Sequence, residues 1–343
     1  MIDTVKICAE INQELYNKIN SLSIIKTSYN KADGEIFYEI INDHLEGSYD
    51  SKLSVRVGCG SKYRFNNLGY YVEIEGSYHK IVRGYNSHNG YYDLNFVCSS
   101  LINFVELSYD VKLPSLENWY LQRCDIAICF DLKNQDNVKS YINSLSRCNY
   151  PRRKVKFFYD ESIYVSGTST TLKIYNKFLE FKSHDLKKFI DTDFDFESYL
   201  NTISGFVRFE CEIKKKRLQQ LLNTTDRVKV IDINYYFLKD IWSDEFMKLL
   251  KFVKNDLNIV RGREDVYNRL ISLFKPCVAN RLYSFYCNIQ LNGIDDVKSH
   301  TSESTYFRYI NELENAKIDF SQSYKVQEHS IYYFNPFEAK EVV

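Results

Sequence analysis

The stretch GFVRFECEIK, residues 205–214, decides the fold class, because apolar and charged side chains alternate along it. Successive side chains of a β-strand point to opposite faces of a sheet. One face then carries Val207, Phe209, Cys211 and Ile213, and the other carries Arg208, Glu210 and Glu212. The stretch therefore predicts a strand of an antiparallel sheet with one face on a hydrophobic core.

Similar strand patterns precede this stretch, separated by turn residues. They are KLSVRVG (52–58), GYYVEIEGS (69–77), CDIAICFDL (124–132), SIYVSG (162–167) and TLKIYNK (171–177). The stretches at 92–111 and 136–147 have apolar residues at three- and four-residue intervals, which is typical of helices. We predict an α+β domain over residues 1–224, whose sheet has helices on one face and leaves the other face free.

After about residue 225 the patterns become helical, at 236–257, 264–274, 280–293 and 304–316. We predict a mainly helical domain over residues 225–343. Within it, Gly293 ends one helix, a short helix follows, and TSES (301–304) forms a turn before the next helix. These proportions are those of a helix-turn-helix DNA-binding unit. The last helix would bury Phe307, Ile310 and Leu313, leaving Ser304, Thr305, Arg308 and Asn311 for another surface, with Thr305 and Arg308 as candidate DNA contacts.

Composition limits the class of protein. With 343 residues, 44% of them hydrophobic, and only four prolines, the chain is long enough for two packed domains. No apolar run approaches the roughly 20 residues that cross a bilayer, and the N-terminus has no apolar signal region, so we predict a cytoplasmic protein. Nine cysteines without a C-x-x-C pair argue against a disulfide framework or a zinc ribbon. No paired-histidine motif and no P-loop is present.

The charges balance, with 45 basic and 45 acidic residues, which by itself argues against a nucleic-acid partner. The basic residues are nevertheless concentrated in PRRKVK (151–156), KSHDLKK (182–188) and KKKR (214–217). Such runs form either a solvated face or a surface that attracts phosphates. Lys214, the first residue of the last run, is a candidate DNA contact.

Three predicted strands carry carboxylates on the face that does not build the core. They are Glu73 and Glu75 on one strand, Asp125 and Asp131 on the second, and Glu210 and Glu212 on the third. If these faces coincide, oxygen ligands converge as Mg²⁺ or Mn²⁺ requires. The alternative is an ordinary solvated face of an antiparallel sheet.

A tyrosine flanked by lysines lies in TLKIYNKFLEF, residues 171–181. If the strand continues through Lys177, then Lys173, Tyr175 and Lys177 form one row. Two ammonium groups beside a phenol favour the phenolate and lower the tyrosine pKa, which prepares a nucleophile. The chain has 29 tyrosines, so this pattern alone does not identify the nucleophile.

Together these stretches resemble the replication initiators related to the gene II protein of filamentous phages. The resemblance is carried by YVEIEGSYHKIVRGYN (71–86), RCDIAICF (123–130), TLKIYNKFLE (171–180), GFVRFECEIKKKRL (205–218), SFYCNIQLNGID (284–295) and STYFRYINELENAKI (304–318). The blocks follow in order over most of the chain. The resemblance implies a Rep-like nicking domain that cuts one origin strand in rolling-circle replication, using a tyrosine and a divalent metal.

The resemblance also implies residue roles. Tyr175 would attack the scissile phosphate, leaving a phosphotyrosine link and a free 3′-hydroxyl. Lys173 and Lys177 would either lower the pKa of Tyr175 or contact the phosphate. Asp125, Glu210 and Glu73 would hold Mg²⁺ or Mn²⁺. Glu75, Asp131 and Glu212 are weaker candidates, because the family pattern does not require an acid at these positions. Lys80, Arg83 and Asn86 would contact DNA, and Arg208 would orient Glu210 or hold the DNA backbone. Glu180 would be a ligand or a partner of Lys177.

The implied partners are duplex origin DNA and the nicked single strand, with host helicase, DNA polymerase and a second protomer as candidates. Two other functions stay open. A non-catalytic helix-turn-helix regulator would use only the C-terminal helices. A mobilisation relaxase would share the chemistry but serve conjugative transfer.

Overall fold

The computed structural model describes residues 1–22, 25–29, 36–41, 43–48, 51–60, 69–145, 148, 150–190, 192–250, 263–318, 320 and 335–342. The strands are β1 (Ile2–Glu10), β2 (Ile25–Tyr29), β3 (Ile36–Ile41), β4 (Asp43–Glu46), β5 (Lys52–Cys59), β6 (Tyr70–Gly76), β7 (Trp119–Asp131), β8 (Val155–Phe158), β9 (Ser162–Val165), β10 (Thr170–Asn176) and β11 (Phe206–Lys214).

The helices are α1 (Gln13–Leu22), α2 (Tyr78–Arg83), α3 (Leu94–Tyr109), α4 (Gln135–Ser144), α5 (Lys177–His184), α6 (Phe196–Thr202), α7 (Lys215–Leu221), α8 (Tyr235–Leu250), α9 (Arg263–Leu273), α10 (Pro276–Asn292), α11 (Ile294–Ser299) and α12 (Glu303–Asn315). Short 3₁₀ turns cover Leu116–Asn118, Leu186–Lys188 and Val230–Asp232. In the described part of the chain, no helix is long and apolar enough to cross a membrane.

Nine of the described strands form one antiparallel sheet in the order β4-β5-β6-β1-β7-β11-β10-β9-β8. The prediction of an α+β fold, with an antiparallel sheet followed by helices, is confirmed. The sequence prediction did not include β1, although this strand lies at the centre of the sheet between β6 and β7. A register shift between Ile2 and Val5 interrupts its pairing with β7 at Asp3.

The two faces of the sheet differ as the alternation predicts. Most apolar side chains of β7 and β11 belong to the main hydrophobic core, together with residues of α3, α4 and α8. On the opposite face, Lys173 pairs with Glu210 and Asp125 pairs with Glu212 across neighbouring strands. We call this second face the polar face.

The polar face is not free along its whole length, which corrects the prediction. At one end, Cys129 and Phe206 pack against Phe181 of α5 and Phe189 in a small second core. Arg208, Asp125 and Glu73 on this face are also almost fully buried. Buried charges require partners, and these three side chains form ion pairs. An ordinary solvated sheet face would instead expose its carboxylates to water.

Helix α8 packs on the sheet, because Leu238, Trp242 and Phe246 are part of the main core. A separate hydrophobic cluster, distinct from the two cores of the sheet, is built from residues between 266 and 320. The predicted domain boundary between residues 224 and 225 stays a prediction. Helix α8 follows this boundary in the chain but packs against the sheet, which precedes it.

The three helices of the predicted helix-turn-helix unit are present as α10, α11 and α12, and Gly293 ends α10 with a φ of 94°. The predicted phase of α12 is wrong at one position. Tyr306 is buried with Leu313, whereas Phe307 is 46% exposed. Tyr306 precedes Leu313 by seven residues, or two helical turns, so both face the cluster. Arg308 is exposed and lies over the Tyr309 ring, and Thr305 accepts a hydrogen bond from Ser302.

Candidate active site

A cavity of about 1150 Å³ opens on the polar face of the sheet. Residues of β1, β7, β10 and β11 form its floor, and α5, the β8–β9 hairpin and the loop after α2 form its walls. The residues predicted from the sequence that line it are Lys80, Asn86, Asp125, Lys173, Tyr175, Glu180 and Glu210. The topology thus gathers residues that are far apart in the chain.

Tyr175 lies on β10, directly opposite Arg208 on β11. Its hydroxyl donates a hydrogen bond to Oε2 of Glu210 at 3.2 Å and accepts one from Nδ2 of Asn86, also at 3.2 Å. The phenol is therefore held between a carboxylate that can take its proton and an amide that can stabilise negative charge on its oxygen. This geometry suits a nucleophile that is activated by a neighbouring base.

The flanking lysines do not act on Tyr175 as the sequence predicts. Burial raises the pKa of Tyr175 well above its usual value, and the carboxylates of Glu210 and Glu180 raise it further, although Arg208 opposes them. Nζ of Lys173 donates to Oε1 of Glu210 at 2.6 Å. The tyrosine is therefore a neutral phenol at neutral pH, and its reactivity requires a base.

Lys177 is not in the row of Lys173 and Tyr175, which corrects the predicted geometry. The strand ends at Asn176, whose side chain accepts a hydrogen bond from the backbone N–H of Leu179 and begins α5. Lys177 is the first residue of that helix, is fully buried and donates to the carboxylate of Glu180. Of the two roles considered for Glu180, the structure shows the pairing with Lys177.

Asn86 connects the loop after α2 to the tyrosine. Gly84 ends α2 with a φ of 83°, a left-handed conformation that glycine adopts without strain, and turns the chain towards the cavity. The Asn86 side chain donates to the Tyr175 hydroxyl and to Oε1 of Glu180 at 3.1 Å, while its backbone N–H donates to Oδ2 of Asp185. Asn86 is buried, lines the cavity and is hydrogen-bonded to Tyr175 and Glu180, and its role as a DNA contact stays a prediction.

Arg208 is fully buried below the cavity, so it cannot bind the DNA backbone directly, contrary to one of its two predicted roles. Its guanidinium contacts Oδ2 of Asp3 at 2.9 Å, donates to the carbonyl of Ser87 at 2.7 Å, and lies 3.9 Å from Oε2 of Glu210. The other predicted role, orienting Glu210, is compatible with this position.

Asp3 and His79 are buried site residues that the sequence prediction missed. Nε2 of His79 lies 3.3 Å from Oδ1 of Asp3. Arg208 holds the pKa of Asp3 well below its usual range against the opposing effect of burial. Burial lowers the pKa of His79 to about 3. An alternating strand pattern in IDTVKICAE could have indicated β1, but its register shift at Asp3 has no sequence signal.

The three predicted metal ligands do not form one group, because Asp125 and Glu210 line the cavity and Glu73 does not. Oε1 of Glu73 contacts Nζ of Lys6 at 2.8 Å and does not line the cavity, whereas Asp125 is held by Nε and Nη2 of Arg123 at 2.8 and 2.5 Å. Glu210 is engaged by Lys173 and Tyr175. Among the described residues, no group of three or more His, Cys, Asp or Glu side chains can hold a metal ion. The predicted ligand set does not fit a metal in this arrangement.

The remaining predicted DNA contacts differ in their surroundings. Lys80 lines the cavity. The guanidinium of Arg83 donates to Ser87 at 2.8 Å and to Asn89, so it braces the loop that carries Asn86. Lys214 donates to the carbonyl of Gly167 and lines a neighbouring cavity of about 640 Å³.

Residues 1–239 match the family model for the N-terminal part of the phage replication-associated gene II protein. The match covers more than half of the chain and includes the whole sheet and every cavity residue named above. No curated protein matches the chain significantly.

Proposed function

The chain belongs to the family of phage replication-associated proteins of the gene II type, and we propose that it initiates replication by nicking one origin strand with Tyr175 as the nucleophile. The family makes the chain a phage-type replication initiator. The single observation that carries the proposed chemistry is the position of the Tyr175 hydroxyl. It lies in a cavity between the carboxylate of Glu210 and the amide of Asn86.

In the proposed reaction, the Tyr175 oxygen attacks the scissile phosphorus while Glu210 accepts the phenolic proton. The bond between phosphorus and the 3′-oxygen breaks, and the 3′-oxygen leaves with the bonding electrons and takes a proton from solvent. One phosphodiester becomes another, now to tyrosine, so its energy is conserved. The reverse attack by a 3′-hydroxyl reseals the strand without ATP.

Each neighbour of Tyr175 has a role in this step. Asn86 Nδ2 donates to the oxygen on which negative charge develops, and hydrogen bonds to charged groups are stronger than those between neutral groups. Lys173 orients Glu210 through their 2.6 Å contact. Lys80 lines the cavity and can approach the phosphate oxygens, and Arg208 contributes positive charge from below.

A divalent ion stays a prediction from the family resemblance. Mg²⁺ or Mn²⁺ would neutralise charge on the phosphate oxygens when bound. Because the predicted carboxylates are not assembled as a ligand set, no step above passes through the ion.

Origin recognition is assigned to the C-terminal helices in this proposal. Helix α11 and helix α12 are joined by a short turn, the proportions of a helix-turn-helix unit, and Arg308 on α12 is exposed. A regulator that binds DNA without cutting it would use the same helices. Duplex origin DNA and the nicked strand are the proposed partners, with host helicase, DNA polymerase and a second protomer as further predictions.

The proposal is tested with supercoiled DNA that carries the replicon's own origin, in Mg²⁺ or Mn²⁺. We expect nicked circles and a covalent protein–DNA adduct from the wild type and neither from Tyr175→Phe. Tyr164→Phe is the matched control, because Tyr164 also lines the cavity. Equal nicking by Tyr175→Phe would exclude Tyr175 as the nucleophile. Origin binding without nicking by the wild type would favour the regulator. A recognised nick site at a transfer origin would favour the relaxase.

A further inference from the structure

The β8–β9 hairpin presents an aromatic side chain to the cavity that the proposed chemistry does not use. Phe158, at the end of β8, is 49% exposed and lines the same cavity as Tyr175. Its exposed ring is apolar surface that a ligand in the cavity can cover, and removing apolar surface from water is favourable.

The sheet register places Phe158 in line with the catalytic residues. Phe158 pairs with Ser162, Ser162 pairs with Tyr175, and Tyr175 pairs with Arg208. Paired residues of antiparallel strands point to the same face, and neighbouring strands lie about 4.8 Å apart. Phe158 is therefore two strands, or about 10 Å, from Tyr175 on the polar face.

The next row of paired residues on the polar face contains two lysines. Lys156 pairs with Tyr164, and Tyr164 pairs with Lys173, so both lysines point to the same side as Phe158. Lys156 is exposed and lines the cavity. The face thus offers a flat apolar ring next to positive charge, which is the combination that binds the bases and the backbone of single-stranded nucleic acid.

We propose that Phe158 is a stacking platform for an unpaired base close to the scissile phosphate, with Lys156 contacting the backbone beside it. The occupant is single-stranded DNA, because a base inside a duplex is already stacked on its neighbours and offers no free face. This inference rests on the proposed function for the position of the scissile phosphate at Tyr175. The β8–β9 hairpin then helps to hold the strand open at the nick.

The test measures binding of a single-stranded oligonucleotide from the replicon's own origin by fluorescence anisotropy. All proteins are full-length and carry Tyr175→Phe, which keeps the DNA intact. We expect Phe158→Ala to weaken binding at least about 5-fold, as the loss of one base–aromatic stack does, and Phe158→Trp to retain it. Phe96→Ala is the matched control, because Phe96 is 45% exposed on α3, which packs on the apolar face of the sheet.

Abasic sites placed one at a time along the oligonucleotide identify the stacked base. At one position, the abasic site should weaken binding by the parent protein, which carries Tyr175→Phe and keeps Phe158. The same abasic site should not weaken binding by Phe158→Ala any further. The duplex of the same sequence should bind Phe158→Ala as it binds the parent. The proposal is overturned if Phe158→Ala binds the single strand as tightly as Phe96→Ala does. It is also overturned if every abasic site weakens binding by Phe158→Ala as much as it weakens binding by the parent, or if Phe158→Ala loses as much affinity for the duplex as for the single strand.

A separate assay distinguishes this inference from the proposed function. At saturating oligonucleotide, the wild type and the control Phe96→Ala, both with Tyr175 intact, should form the covalent adduct at the same rate. If the wild type forms no adduct, the nicking proposal fails, whereas the anisotropy results still decide whether a base stacks on Phe158.

Discussion

The hydroxyl of Tyr175 donates a hydrogen bond to Oε2 of Glu210, 3.2 Å away on the neighbouring strand. The same carboxylate accepts a hydrogen bond from Lys173 through its other oxygen. Because burial keeps the pKa of Tyr175 well above its usual value, the phenol keeps its proton until a base removes it. In the proposed reaction Glu210 is that base, whereas the sequence alone predicts that it is a metal ligand.

Glu210 and Glu73 should therefore respond differently to the same isosteric change. We expect Glu210→Gln to slow adduct formation by about 10²- to 10⁴-fold at saturating DNA, the usual contribution of a general base. Glu73→Gln should leave the rate within about 3-fold, because Glu73 contacts Lys6 outside the cavity. Single-turnover adduct formation measures both rates. An equal loss of rate in the two variants would contradict this assignment and would favour the predicted role of Glu73 and Glu210 as metal ligands.

Asn86→Ala should lower the rate of adduct formation without weakening DNA binding. Its amide donates to the Tyr175 oxygen, and a hydrogen bond to a charged group contributes about 1.5–3 kcal/mol, which corresponds to roughly 10- to 150-fold in rate. The rate at saturating DNA and the oligonucleotide affinity are measured in parallel. Weaker binding with an unchanged rate would return Asn86 to the DNA-contact role that the sequence predicts.

His79 should make the folded protein sensitive to acid. Burial lowers its pKa to about 3 in the folded state, whereas an unfolded histidine has a pKa near 6.5. Between these values the unfolded chain binds a proton that the folded chain does not, so stability falls as the pH falls below 6.5. The loss by pH 5 is about 2 kcal/mol.

The measurement compares urea unfolding at pH 7 and pH 5 for the wild type and His79→Gln. The variant cannot titrate at this position, so its stability should change less between the two pH values. The same change in both proteins would show that His79 does not control the acid response.

Thr305 and Arg308 should affect duplex recognition but not the chemistry. Both lie on α12, and Arg308 is exposed. We expect the double variant Thr305→Ala, Arg308→Ala to bind origin duplex more weakly, with a less steep dependence on salt, because an arginine that contacts phosphate releases counterions on binding. Adduct formation on a saturating single-stranded oligonucleotide should be unchanged. Loss of both activities would contradict this division of roles.

The period-two alternation in the sequence is sufficient to predict most of the sheet and the side on which Tyr175, Asp125 and Glu210 lie. The alternation in β7 and β11 separates core from polar residues as observed. Helix positions could also be predicted, because α3 and α4 have clear apolar periodicity and begin at the capping side chains of Asp93 and Asn134.

The parts that could not be predicted depend on contacts between distant segments. Asp3 reaches Arg208 only because β1 lies centrally and its register shifts there. Lys177 leaves the strand because Asn176 caps a helix that begins there. The alternating pattern favours a longer strand and the capping residue favours a helix, and the local sequence does not show which of the two prevails. The single-residue error in the phase of α12 has a similar origin, since Tyr306 and Phe307 are both apolar and only packing selects between them.

The most direct test of the central claim is to identify the residue that becomes linked to DNA. The protein is allowed to react with an origin oligonucleotide, the DNA is digested to a short remnant, and the tryptic peptides are analysed by mass spectrometry. We predict that the nucleotide remnant is attached to Tyr175, within the peptide Ile174–Lys177. A remnant on another tyrosine, or nicked DNA with no modified peptide, would contradict the assignment of Tyr175 as the nucleophile.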